Sequence, residues 1–97
     1  MLMLVTYDVC VTDVDGARRL RAISKTCLDY GVRVQNSVFE CELDPAQFAS
    51  LKNTLLNLYD AKNDSLRFYY LGKRGRQRVE HFGPKLTNDP LRDPLIL

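Results

Sequence analysis

The stretch that most constrains this chain is its start, where Met1, Leu2, Met3, Leu4 and Val5 run through Thr6 and Tyr7 into Asp8. Five successive apolar residues without polar alternation suit a strand covered on both faces. The segment reads as a central strand that ends in a carboxylate. An acid there suits a metal-binding or catalytic group emerging where the sheet meets water. It equally suits a residue that turns the chain or caps the next helix.

The chain has 97 residues and reads as one small domain, a size that buries only about 60 to 65% of its unfolded surface. Dimerisation would complete such a core. The net charge of +2 says less than its distribution. Basic residues gather at Arg18, Arg19, Arg21 and Lys25, at Arg33, and at Lys73, Arg74, Arg76 and Arg78, with the acids mostly between them. Local basic clusters suit a polyanion, and solvated faces are the plain alternative.

Cys10, Cys27 and Cys41 are widely spaced and accompanied by one histidine, His81. No CxxC or histidine spacing suggests zinc, so the thiols read as reduced core residues of a cytoplasmic protein. The first apolar run is too short for a signal peptide, and no segment approaches the roughly 20 apolar residues of a membrane span. The expectation is a cytoplasmic protein with no membrane association.

After Asp8 an acidic loop runs to Gly16, with Asp15 as candidate N-cap. Ala17, Leu20, Ile23, Cys27 and Tyr30 then recur at three and four, which predicts a helix stopped at Gly31. Residues Val32 to Leu43 alternate and predict one strand, with Arg33, Gln35, Ser37, Phe39 and Cys41 on one face. That face presents polar groups beside an aromatic ring, a surface able to hold phosphate and a stacked base. Asp44-Pro45 opens a second helix buried through Phe48, Leu51, Leu55, Leu58 and Tyr59. A polar turn from Asp60 to Asp64 leads to a strand from Ser65 to Leu71, a basic hairpin loop at Lys73, Arg74 and Arg76, and a short strand from Arg78 to Phe82.

This order predicts an α+β fold: a ferredoxin-like two-layer sandwich with a mainly antiparallel sheet and two helices on one face. The domain is expected over residues 1–83. A dimer-stabilising tail is expected over 84–97, its apolar end docking as a strand on the partner subunit. One layer of helices leaves the other sheet face bare, and a second copy related by two-fold symmetry would cover it.

A single Asp8 is a poor Mg²⁺ site, but two copies near a two-fold axis would supply two carboxylates, enough with water and substrate phosphate. An ion held there would activate water and offset charge on a scissile phosphodiester. There is no phosphate-binding glycine loop, dinucleotide fingerprint or nucleophile elbow. The aromatic signature of an RNA-recognition sheet is missing as well.

Taken together, Leu4-Val5-Thr6-Tyr7-Asp8-Val9, Arg18-Arg19-Leu20-Arg21, and Tyr30-Gly31-Val32-Arg33-Val34-Gln35-Asn36-Ser37-Val38-Phe39-Glu40 resemble the small CRISPR-associated adaptation endonuclease family, the dimeric partner of the CRISPR integrase. The resemblance extends over nearly the whole chain. It implies a ferredoxin-like homodimer in which Asp8 of both protomers holds Mg²⁺, and nuclease activity on double-stranded DNA or single-stranded RNA. It also implies a place in spacer acquisition beside the integrase. By the same resemblance Tyr7, Arg33, Ser37 and Phe39 join Asp8 as catalytic candidates, and Arg18, Arg19 and Arg21 match a basic nucleic-acid-binding helix. Arg33 is the best phosphate candidate, with Lys73, Arg74 and Arg76 an outer DNA track. The plain readings are that Phe39 packs and that Ser37 bonds neighbouring backbone. Two rivals stand beside the nuclease: a non-catalytic dimeric scaffold holding duplex DNA between integrase subunits, and a toxin-like ribonuclease acting alone.

Overall fold

The computed structural model describes residues 1–72 and 78–84. Within them the chain folds as β1 (Leu2–Asp8), α1 (Gly16–Leu28), β2 (Val32–Gln35), β3 (Val38–Glu42), α2 (Pro45–Leu58), β4 (Ser65–Leu71) and β5 (Arg78–Phe82). The strands form one antiparallel sheet in the order β2-β3-β1-β4-β5, with β1 central as its apolar run requires. This is the expected α+β architecture, a ferredoxin-like sheet extended by β5 at the β4 edge.

Met3, Val5 and Tyr7 alternate onto the helix-covered face. There they meet Phe39 and Cys41 of β3, Leu66 and Phe68 of β4, Ile23 and Cys27 of α1, and Phe48, Leu51 and Leu55 of α2. Both helices thus share one core. Each fully buried side chain of this size contributes about 1.5–3 kcal/mol through removal from water. Edge-to-face packing of Phe48 on Phe68, with centroids 5.6 Å apart, ties α2 to the sheet.

One expected strand is corrected to two. Residues Val32 to Leu43 form the hairpin β2-β3, turning at Asn36 and Ser37. A two-residue turn lets the alternation run through unbroken, so period two alone conceals it. The hairpin is also irregular: Arg33 pairs with Phe39, but Val38 pairs with Gln35. Gln35 therefore leaves the register it would share with Arg33.

Helix α1 follows Asp15 as expected, but the Asp15 side chain makes no cap hydrogen bond. Asp13 acts instead, its carboxylate accepting from the Asp15 N–H at 3.1 Å and its carbonyl from Gly16 at 3.3 Å. Ala17, expected in the buried stripe, is exposed. Gly31 ends the helical segment through close approach: a Cβ there would lie 2.3 Å from the Glu40 carbonyl oxygen. Helix α2 opens with a capping box, Asp44 accepting from Gln47 N at 2.7 Å and Gln47 Oε1 accepting from Asp44 N at 3.0 Å.

The sheet face away from the helices is less bare than expected. Thr6, Val38 and Tyr69 are buried on it, and Leu4 is half-buried. Arg67 lies across this face, donating from Nε to His81 Nδ1 at 2.9 Å and from Nη1 to the Tyr69 hydroxyl at 3.0 Å. Among the described residues no helix is long and apolar enough to cross a membrane. The basic loop at Lys73, Arg74 and Arg76 and the tail residues 85–97 lie outside the described residues.

Candidate functional site

Asp8 is the last residue of β1, paired with Ser65 of β4. The alternation that turns Tyr7 into the core turns Asp8 to the opposite face, where it is exposed. Its carboxylate makes no hydrogen bond or ion pair with any described residue. The backbone on either side is held. Tyr7 N donates to the Ser37 carbonyl at 3.2 Å, and Cys10 N donates to Asp64 Oδ1 at 2.9 Å.

Three other candidates gather on the helix side. Tyr7 and Phe39 stack with centroids 6.0 Å apart and planes at 23°. Phe39 is fully buried, while Arg33 is exposed and lays its guanidinium 5.2 Å from the Phe39 ring centroid. Arg33 Nη2 also donates to the Ser24 hydroxyl of α1. Ser37 sits in the β2-β3 turn beside this group. The sheet therefore separates Asp8 from Tyr7, Arg33 and Phe39.

The three arginines of α1 differ in kind. Arg18 and Arg21 are exposed. Arg19 is drawn inward, its Nε 2.7 Å from Asp64 Oδ2 and its Nη2 2.7 Å from Asp13 Oδ2. The hydrogen bonds that Arg19 donates to Asp13 and then to Asp64 raise its pKa. Asp13 is lowered chiefly by its bond from Arg19. For Asp64 burial pushes upward, but the Arg19 bond together with the Asp60 and Cys10 N–H groups outweighs it and leaves the pKa lowered. This cluster clamps the loop after β1 to the start of β4, a role the local sequence does not reveal because Asp64 lies 45 residues from Arg19.

Between α1 and the β2-β3 hairpin runs a groove of about 430 Å3. Leu20, Arg21, Ser24, Lys25 and Leu28 line it from the helix, and Arg33, Asn36 and Ser37 from the hairpin, with Tyr7 at its base. Sequence reasoning found Arg21, Arg33, Ser37 and Tyr7 but not Ser24, Leu28 or Asn36. The signal was present as a second helical stripe, Leu20, Ser24 and Leu28 at intervals of four, flanked by Arg21 and Lys25.

Among the described residues no three histidine, cysteine, aspartate or glutamate side chains group as metal ligands. Asp8 alone offers a hard, exposed and uncommitted oxygen donor at the end of the central strand. That donor type fits Mg²⁺, which takes one or two carboxylates and fills its octahedron with water and phosphate oxygens.

Comparison with known proteins gives a consistent result. A family model described as CRISPR associated protein Cas2 matches residues 1–79. A curated CRISPR-associated endoribonuclease Cas2 of Nitratidesulfovibrio vulgaris is 58% identical over 97 residues, covering 100% of this chain and 94% of the relative. The CRISPR-associated endonuclease Cas2 of Halalkalibacterium halodurans is 52% identical over 96 residues, covering 99% of both chains. The crystal structure of Streptococcus pyogenes Cas2 at pH 6.5 superposes with a TM-score of 0.69 at 54% identity, covering 76% of this chain and 89% of that one.

Proposed function

The chain belongs to the CRISPR-associated Cas2 family, and from that premise we propose that it is a cytoplasmic, Mg²⁺-dependent endonuclease that works as a homodimer. Its substrate is double-stranded DNA or single-stranded RNA, and its setting is spacer acquisition beside the CRISPR integrase. The observation that carries the reading is Asp8, an exposed carboxylate free of partners among the described residues, at the end of the central strand of the sheet. The names of relatives more than 50% identical, endoribonuclease and endonuclease, support the reaction class.

Asp8 from each of two chains would hold the ion, which when bound activates water and offsets charge on the phosphodiester. The protein's own contribution is positioning. Arg18, Arg21 and Arg33 are exposed cations that bind phosphate, guanidinium pairing with phosphate oxygens in bidentate fashion. Arg19 supports the loop that follows Asp8. Tyr7 and Phe39 brace the strand end and the Arg33 guanidinium from within the core.

One observation favours a second reading, a non-catalytic DNA-binding scaffold between integrase subunits: Arg18, Arg21 and Arg33 are exposed cations that can hold phosphate backbone without any metal. Labelled duplex DNA and single-stranded RNA, incubated with wild type and Asp8→Ala with Mg²⁺ or EDTA, separate the two. Cutting that needs Mg²⁺ and vanishes in Asp8→Ala supports the nuclease. DNA binding without cutting in either protein supports the scaffold.

A further inference from the structure

The groove between α1 and the β2-β3 hairpin adds Lys25, Leu28 and Asn36 to the Arg21 and Arg33 already assigned to phosphate, and the nuclease reading gives these three no role. Arg21, Lys25 and Arg33 stand around it, and none of them meets a carboxylate among the described residues. Arg19, by contrast, pairs with Asp13 and Asp64, and Lys52 with Glu80 at 3.0 Å. Among the described residues no acidic side chain lines the groove. Its wall is apolar, with Leu20 half-buried and Leu28 53% exposed, an unusual exposure for leucine on a helix that buries Ile23 and Cys27. Asn36, exposed at the hairpin turn, adds an amide that both donates and accepts.

We propose that this groove binds one unpaired nucleotide of a single-stranded nucleic acid. Arg21 and Lys25 take the phosphate, while the base lies against Leu28 and the Arg33 guanidinium with its edge toward Asn36. Each element answers to the chemistry of a nucleotide. Unpaired cations attract the anion, and a guanidinium plane braced on Phe39 at 5.2 Å offers its other face to a base. A volume of about 430 Å3 lies within the range of roughly 300–1,000 Å3 usual for small-molecule sites. Duplex DNA cannot enter, because its bases are stacked and paired. The groove opens on the helix side of the sheet, so it grips a strand apart from Asp8 and sets which single-stranded segment is held. The proposal rests on the reading that the protein handles nucleic acid.

Fluorescence anisotropy of the full chain with a labelled ten-nucleotide oligothymidylate, and with a duplex of equal length, tests it. The variants are Lys25→Ala and Leu28→Ser, both at exposed positions, with thermal unfolding as the folding check. Oligothymidylate affinity is expected to fall at least about fivefold in each variant, the loss of one base or phosphate contact, with duplex affinity changed less than about twofold. Thymidine 5′-monophosphate is expected to shift the amide resonances of Ser24, Lys25, Asn36 and Ser37 in nuclear magnetic resonance spectra. Unchanged oligothymidylate affinity in Leu28→Ser overturns the proposal, as do equal shifts from inorganic phosphate alone or displacement of the oligonucleotide by poly-glutamate as readily as by thymidine monophosphate. If the wild type binds no nucleic acid at all, the functional reading falls too. If it binds while the groove amides stay unmoved, only this inference falls.

Discussion

Arg19 and Asp64 lie 45 residues apart in the chain and form a 2.7 Å ion pair that joins α1 to the start of β4. Asp64 is completely buried, and every bond it accepts comes from a different segment: Arg19, the Cys10 N–H and the Asp60 N–H. Asp64→Ala leaves Arg19 paired with Asp13 but takes away the acceptor of the Cys10 and Asp60 N–H groups, and a buried donor left unsatisfied costs about 1–3 kcal/mol. Asp64→Ala is expected to lose stability in that range by urea unfolding. A loss under about 1 kcal/mol would show that the clamp is ornamental.

The same cluster sets an acid limit. The carboxyl groups of Asp13 and Asp64 are both held below their ordinary value of 3.8. With the folded pKa below the unfolded one, the unfolded chain binds more protons, so their stabilisation is full above that value and drains away as pH falls through the folded pKa. Unfolding free energy measured from pH 5 down to pH 2 should fall more steeply in wild type than in Asp64→Asn. Parallel curves would remove Asp64 from the explanation.

The three thiols should differ in reactivity. The hydrogen bond with Thr12, at 3.1 Å, lowers the pKa of Cys10, whereas burial pushes Cys27 up to about 12 and raises Cys41. Iodoacetamide at neutral pH followed by peptide mass spectrometry is expected to find Cys10 labelled first, with Cys27 and Cys41 labelled only after denaturation. Comparable rates at all three would contradict the buried placement.

Helix α2 begins with a reciprocal cap between Asp44 and Gln47. Asp44→Ala removes the acceptor for the Gln47 N–H and is expected to lower stability by about 1 kcal/mol, a few degrees in Tm for a domain of this size. Asp44→Asn, which keeps a capping oxygen, should restore most of it. Equal losses in the two variants would assign the effect to charge instead.

Much of this architecture was legible in the residues. The unbroken apolar run of β1 announced a central strand, and the spacing of Phe48, Leu51 and Leu55 announced the buried face of α2. What stayed hidden has physical causes. The turn at Asn36 and Ser37 does not interrupt period two, so one long strand and a hairpin carry the same alternation. Arg18, Arg19 and Arg21 look alike along the chain, and only the distant Asp64 singles out Arg19. The opposition of Asp8 to Arg33 across the sheet follows from pairing: Arg33 sits opposite Phe39, Phe39 opposite Val5, and Asp8 falls an odd number of residues beyond.

The hydrogen bond from Cys10 N to Asp64 bears on how readily a ligand is captured at Asp8. Asp8 sits between a residue bonded to the β2-β3 turn and a residue bonded to a buried carboxylate, so its main chain has little freedom left to lose. Ordering a flexible residue costs about 1–2 kcal/mol of backbone entropy, and here that loss occurs during folding. In the proposed dimer, a cation arriving between two such strand ends would meet carboxylates borne on a main chain already ordered, and its affinity would reflect coordination, desolvation and side-chain ordering with little deduction for stiffening the backbone.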